Sequence, residues 1–502
     1  MKKWILVAVC VALGCGGQAQ SPLERGTSSA SPAPGVVQAE GPTNNGEREA
    51  SASAVRDARQ LLNRFTWGAR PGEIIRAALD VDAAQQALMN AEQAPPTLDE
   101  RYPIDVAPSA LLARFNRVPE RSESMDAEER QGSRRDLIQL QQERALVLAV
   151  EGSGSFRALL TDFWFNHFNV HALKASVAYS LLGYEEMLRA QNVGSMQTML
   201  LEVARHPAML EYLDNASSVR EGFREGRGLN ENYARELLEL HTLGEGNGYT
   251  QDDVRETARI FTGWNVRREE GVPTFFFRRR AHDTEAKLVM GQSYGQEQSG
   301  EAEGEALLRR LADDPRVATR IAAGLEARFV GTESSASALA SFYDDEDLRP
   351  LVLRVIELGR AEGAPPIFKT PLEYVVSAAR FVGGRVSDAR PLRQALGRMQ
   401  MLPYNQPVPT GYPRGDAWLS SSTMLERFRF ARALVEGEAG VEFDLDAAAP
   451  SVASGEEAVA WAELHVGELS SATRAVVTSL AEDGQRSERL LALLASPEFM
   501  VR

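Results

Sequence analysis

The stretch Asn230-Glu-Asn-Tyr-Ala-Arg-Glu-Leu-Leu-Glu-Leu-His-Thr-Leu-Gly244 opens on amides and closes on a histidine and a glycine, with leucines at helical spacing between them. Amides suit a helix start and glycine suits the residue beyond a helix end, so the run predicts one helix. Placed at about 100° per residue, Glu231, Asn232, Arg235, Glu236 and Glu239 fall on one arc. Tyr233, Ala234, Leu237, Leu238, Leu240 and His241 fall on the other. Glu231 and Arg235 stand four apart and can pair with each other. One such helix cannot aim Glu236 and His241 at the same ion. The acidic arc is therefore either a solvated, ion-paired face or one wall of a site that a second helix completes.

The same helical period extends on both sides. Order is expected from about Ala52, where Val55, Leu61, Leu62 and Phe65 recur at helical spacing before Arg70-Pro71-Gly72. Helices are read at 74–93, 136–172, 175–213 with a break near Gly194, 251–264, 301–311, 315–329, 334–342, 348–358, 371–382 and 422–436, with two or three more in 447–502. The clearest strand candidate is Thr274 to Arg280, where Phe275, Phe276 and Phe277 precede three arginines. The expected fold is mainly α: a large multi-helix body with a short β-hairpin-like insertion near residues 272–290.

Composition sets outer limits. Hydrophobic residues make up 43 % of the chain and charged residues 25 %, as in soluble globular proteins. The formal net charge of -15 argues against nucleic acid as a partner, because phosphate binding needs a basic face. Lys2 and Lys3 precede a short apolar run, Ile5 to Leu13, far below the ~20 residues of a membrane span. Val11-Ala12-Leu13-Gly14-Cys15 then places a small residue before a cysteine, as at the processing site of bacterial lipoproteins. Residues 1–14 are read as a signal peptide and Cys15 as the lipidated residue, anchoring an exported protein to the cell envelope. Gly16 rather than Asp after Cys15 points to the outer membrane. Residues 15–50, rich in Ser, Pro, Ala and Gly, read as a flexible tether. Residues 51–436 form the helical body and 437–502 a C-terminal helical segment packed on it. The other cysteine, Cys10, falls inside the signal, so no internal disulfide is available.

Two further clusters carry polar chemistry. In Asp162-Phe-Trp-Phe-Asn-His-Phe-Asn-Val-His171, a helix would align Asp162, Asn166 and Asn169 on one face and His167 with His171 on another. An H-x-x-x-H pair on a helix can chelate a divalent metal, with zinc the usual case. The glutamate that follows the first histidine in zinc proteases is replaced by Phe168. The third cluster is His282-Asp283 with Lys287, which can do acid–base work or fix a loop. Phosphate-loop, nucleophile-elbow and haem-attachment patterns are absent.

At these residues the chain resembles the bacterial family known as domain of unknown function 1800. The resemblance rests on Leu62-Asn-Arg-Phe-Thr-Trp-Gly68, on Asp162 to Val170 with Lys174, on His206 to Asn215, and on Asn230 to Gly244. It continues through Gly248-Tyr-Thr-Gln251, Phe261-Thr-Gly-Trp264, His282-Asp283 with Lys287, Lys369-Thr-Pro371, and Gly411-Tyr-Pro-Arg-Gly415 with Trp418. It covers about residues 55 to 435. The family often has a histidine near Gln191, a glycine at the place of Glu285 and Gly-Trp at Gly411-Tyr412. The resemblance implies a secreted or periplasmic, mostly helical protein that works with another exported protein.

Two functions follow as expectations. The first is a surface-anchored hydrolase acting on a polymer such as a polysaccharide. Its catalytic set is Glu231, Glu236, Glu239, His282 and Asp283 with His167, and its binding set is Asn166, Asn169, Asn230, Asn232, Arg235, Lys287 and Trp264. Aromatic rings at Trp164, Trp264 and Phe277 would face the sugar. The alternative is a non-catalytic binding or assembly lipoprotein whose polar motifs are interior networks. The enzyme needs the clusters to converge on a solvent-reachable cleft. The alternative needs them sealed inside or spread apart.

Overall fold

The computed structural model describes residues 50–102, 127–174, 176–226, 228–269, 272–295 and 300–502. The signal segment, Cys15 and most of the expected tether lie outside these residues. Among the described residues 58 % are helical, in 22 α-helices, and the strands form only two-stranded sheets. A single cluster of buried apolar side chains runs from Ala58 to Met500, so the C-terminal helices share the core of the body.

Local signals place most helix ends. Ser51 caps helix Ala52–Phe65 by accepting from the Ala54 N–H, and Thr370 with Glu373 forms a capping box at the start of helix Pro371–Phe381. The helices expected between 301 and 436 appear within a few residues of their predicted ends, with Arg390–Arg398 added.

Elsewhere the expected helices are cut. The 74–93 segment divides into Glu73–Ala78 and Val81–Leu88, because Asp80 leaves the helix and caps the second piece. The 136–172 segment breaks at Gly152–Ser155, where Ser155 caps Phe156–His167, and ends there at the Phe168 C-cap. In the 175–213 segment, Pro207 forces a further break after Arg205. The helix expected at 251–264 stops at Ile260, and Trp264 begins a strand. The β insertion is a pair of hairpins. Trp264–Glu269 pairs antiparallel with Val272–Phe277, and Lys287–Val289 with Gln292–Tyr294.

The opening stretch is the sharpest departure from regularity. It runs as α-helix over Asn232–Glu236 and as π-helix over Leu237–His241. The wider turn delays the phase of the residues beyond Glu236, so arcs drawn at a constant 100° do not hold to its end.

Candidate functional site

The π-turn ends buried, and its last carbonyls need partners from outside the helix. Thr242 Oγ1 donates to the Leu237 carbonyl at 2.6 Å, and the Gly244 N–H to that of Leu238 at 3.1 Å. Arg320 Nε and Nη2 donate to the Leu240 carbonyl at 3.1 and 2.9 Å, where a cation also suits the helix C-terminus. His167 Nε2 takes the His241 carbonyl at 3.0 Å. A carbonyl only accepts, so this nitrogen carries the proton. Burial, with His241 and Arg320 adding to it, pushes the His167 imidazole down to about 3. The expected metal pair is thereby undone at its geometric premise. His171 lies in the turn beyond the helix end and engages Asn405. Among the described residues, no group of three or more His, Cys, Asp or Glu side chains could hold a metal ion.

The expected catalytic carboxylates do not meet the second and third clusters. Glu231 and Glu239 both pair with Arg235, at 3.2 and 3.4 Å, in a half-exposed ladder. Glu236 beside them is half-buried and accepts no hydrogen bond from the described residues; burial, then Glu239, pushes its carboxyl up. Asn230 and Asn232 serve the backbone. The Asn230 Oδ1 accepts from the Asn232 N–H at 2.9 Å, and Asn232 Nδ2 donates to the Leu213 carbonyl at 3.2 Å.

The third cluster is sealed. Lys287 Nζ lies 2.6 Å from Glu303 Oε2, and His282 Nε2 lies 3.4 Å from Glu303 Oε1, with all three side chains essentially unexposed. Asp283 faces away from them, forked by Arg259 at 2.8 and 3.2 Å. Burial would raise its carboxyl, but the Arg259 fork and the Glu285 N–H hold it below its ordinary value. Of the rings expected to face a sugar, Phe277 is partly buried and both tryptophans are inside. Trp164 and Trp264 are fully buried, and Trp264 stacks under the Arg205 guanidinium.

Four of the quoted motifs do converge elsewhere. Trp67, the face carrying Asp162, Asn166 and Asn169, then Thr370 and finally Arg414 surround a cavity of about 110 Å³. The two asparagines expected to bind a ligand instead hold its lid of backbone. Asn166 Oδ1 accepts from the Tyr412 N–H at 2.7 Å while its Nδ2 donates to the Tyr412 carbonyl at 3.1 Å. Asn169 Nδ2 donates to the carbonyls of Gln406 and Val408 at 3.0 and 2.9 Å. Gly411 is required here, because its φ is +75° and a Cβ would sit 2.3 Å from the Asn166 carbonyl oxygen.

Charge is distributed to both ends of this cavity. At one end Arg328 bridges Asp162, at 3.1 Å, and Glu373. Burial opposes ionisation of Glu373, yet Arg328 and Arg502 hold it down to about 2, whereas burial wins at Asp162 and raises it. At the other end Arg189 joins Glu92 and Glu185, and Tyr404 donates to Glu185 at 2.5 Å. Burial pushes the Glu92 carboxyl up to about 7, against the pull of Arg189. Sequence reasoning missed Glu92, Glu185, Arg189, Arg328 and Glu373, which lie as far as 281 positions apart (Glu92 to Glu373) and share no local period. The one available signal was the capping box at Thr370 and Glu373.

Asn166 and Arg414 also form the wall between this cavity and an open groove of about 900 Å³. The groove runs between the Leu240–Asn247 turn, helix Pro315–Phe329 and the 409–414 loop, with His167, Arg316, Arg320, Glu245 and Glu333 along it. Among the described residues, no Trp, Tyr or Phe lines it.

No curated protein and no solved structure matches the chain. The family described as "Protein of unknown function (DUF1800)" matches residues 60–501, past the 55–435 stretch that carries the motifs and through the C-terminal helices. With that match spanning most of its length, and with its motifs assembled around one cavity and one buried turn, the chain belongs to this family.

Proposed function

We propose that the chain is an exported, lipid-anchored binding protein of the cell envelope whose open groove receives an extended segment of an exported partner protein. The observation that carries this reading is the separation of the expected catalytic groups. Glu231 and Glu239 share the single Arg235, His282 and Lys287 are sealed against Glu303, and Asp283 is forked by Arg259. Apart from Glu236, these expected catalytic groups are engaged by other side chains of the protein. The groove, by contrast, is large, open and lined with arginine, threonine and amide groups suited to a peptide backbone and acidic side chains. Its described lining has no aromatic side chain on which a sugar ring would stack.

The test is site-specific photo-cross-linking in the native envelope. A cross-linking side chain at the exposed Thr319 or Thr410, both on the groove, should capture the same polypeptide. One at the exposed Leu288 should not. No adduct, or the same adducts from all three positions, would remove the reading.

A second reading keeps an enzyme, moved to the inner cavity. Glu92 is favoured there because a carboxyl held near neutrality beside a second carboxylate can act as acid and base. The ligand would be small, given a cavity of about 110 Å³. A screen of chromogenic glycosides and esters tests it. Hydrolysis that follows a titration near pH 7 and vanishes in E92Q would establish it.

A further inference from the structure

A second cavity, of about 400 Å³, lies between helix Ala52–Phe65, the 360–369 segment and residues 498–502, with Ser377 and Phe381 of helix Pro371–Phe381 also on its wall. Lys369 lines it. Its backbone is pinned on both sides: the N–H donates to the Met500 carbonyl at 2.9 Å, and the carbonyl accepts from Arg427 Nη2 at 2.5 Å. The side chain is 7 % exposed, and its Nζ lies over the Phe499 ring, 4.0 Å from the centroid. That amine makes no hydrogen bond and no ion pair with the described residues. The nearest buried carboxylate, Glu373, is taken by Arg328, Arg502 and the Thr370 N–H.

An ammonium buried with a ring face but no hydrogen-bond acceptor or ion pair is costly, and this one has further cations around it. Arg64 donates only to carbonyls, those of Val330 at 2.9 Å and Pro365 at 2.7 Å. Arg502 reaches the Arg64 carbonyl at 2.8 Å, and its own main-chain oxygen lies 3.5 Å from Arg64 Nη2. Arg56, Arg59 and Arg360 stand around the same cavity. Of its three carboxylate side chains, Glu498 is held by the Ser470 N–H and the Thr473 hydroxyl, Glu362 is exposed and Asp57 half-exposed. In a chain of net charge -15, this is a local excess of positive charge around one unpaired amine.

We infer that this cavity is a binding site for a small oxyanion, a carboxylate or a phosphate, with Lys369 Nζ as its central donor and Arg64 and Arg502 as the surrounding field. A compact ammonium with three free donors suits such a group. Burial, with Arg427 and Arg502 adding to it and Glu373 opposing, pushes the amine down to about 7, so an arriving anion would also restore its charge.

The test uses the full chain at pH 7 and constant ionic strength, titrated with inorganic phosphate and, separately, with acetate, while the melting temperature is followed. A saturable rise with either anion, beyond that with chloride and lost in K369M, supports the site, and the more effective anion names its source. K369M should itself melt no lower than the wild type, because methionine leaves hydrocarbon on Phe499 and removes a buried charge. Independently of any variant, phosphate or acetate should slow acetylation of the Lys369 amine by acetic anhydride by about tenfold or more, read by peptide mass spectrometry. Equal responses to chloride, phosphate and acetate, equal responses in K369M, or unprotected acetylation would overturn the inference.

Discussion

His167 holds the π-turn of the Asn230–Gly244 segment by a single hydrogen bond, Nε2 to the His241 carbonyl at 3.0 Å. Two motifs 74 residues apart meet there, and the imidazole is a structural donor whose proton is committed. The H167F variant should lose about 1–3 kcal/mol of stability, because a buried carbonyl is left without a partner. Metal bound per chain, measured on protein purified without chelator, should be the same in H167F and the wild type. A stoichiometric metal lost with His167 would overturn this assignment.

Four histidines, His241 buried and His167, His206 and His465 partly buried, should make the protein sensitive to mild acid. His167 and His241 are pushed down to about 3, and His206 and His465 to about 4, with burial the leading cause in each. A depressed histidine contributes stability that is present above its unfolded value near 6.5 and lost as pH falls toward its folded value. Calorimetric melting temperatures should therefore begin to drop near pH 6.5, above the range where ordinary carboxylates protonate. Glu92, raised to about 7, gains stability over the same fall in pH and offsets part of this loss, so the profile is read in E92Q, where a flat line from pH 7 to 5 would contradict the depression of these rings.

Glu236 behaves as the opposite case. Its carboxyl is raised, so the folded state pays for the charge as pH climbs past the ordinary carboxylate range. The E236Q variant should melt at or above the wild type at pH 7, with the gain shrinking toward pH 4. A drop of several degrees, as expected of a member of a buried network, would show that the carboxylate has partners. Next to it, R235A should cost less than about 1 kcal/mol, because both of its ion pairs are half-exposed.

Within the sealed cluster, E303Q should be among the most damaging single changes. It leaves the Lys287 ammonium buried without its 2.6 Å partner, at a cost of about 3–5 kcal/mol. The double variant K287M/E303L should be less destabilised than E303Q alone, since no charge then remains to be buried. Chemical denaturation of the two variants decides the matter, and additive losses would argue against a coupled pair.

At the cavity lid, G411A should destabilise by about 2–4 kcal/mol, from the left-handed backbone and the contact with Asn166. N166A should act on the same loop by orphaning the backbone N–H and carbonyl of Tyr412. Hydrogen exchange should report faster opening of residues 406–414 in both variants, with the hairpin at 264–277 unchanged.

What this chain's sequence determined by itself was local. Apolar spacing acts within a few residues, so the mainly α fold and the helices between 301 and 436 were legible, and the ordered motifs were enough to suggest the family; the breaks at Asp80, Ser155 and Pro207 were not read from it. The arrangement of the polar groups was not. Whether Glu236 faces a partner, whether His282 is open or sealed, and which carbonyls His167 and Arg320 satisfy depend on backbone positions tens to hundreds of residues apart. The π-turn shows the reason most directly. Its last carbonyls are met by Arg320 and His167 from distant segments, and a helical period read along the sequence carries no information about contacts made across the core.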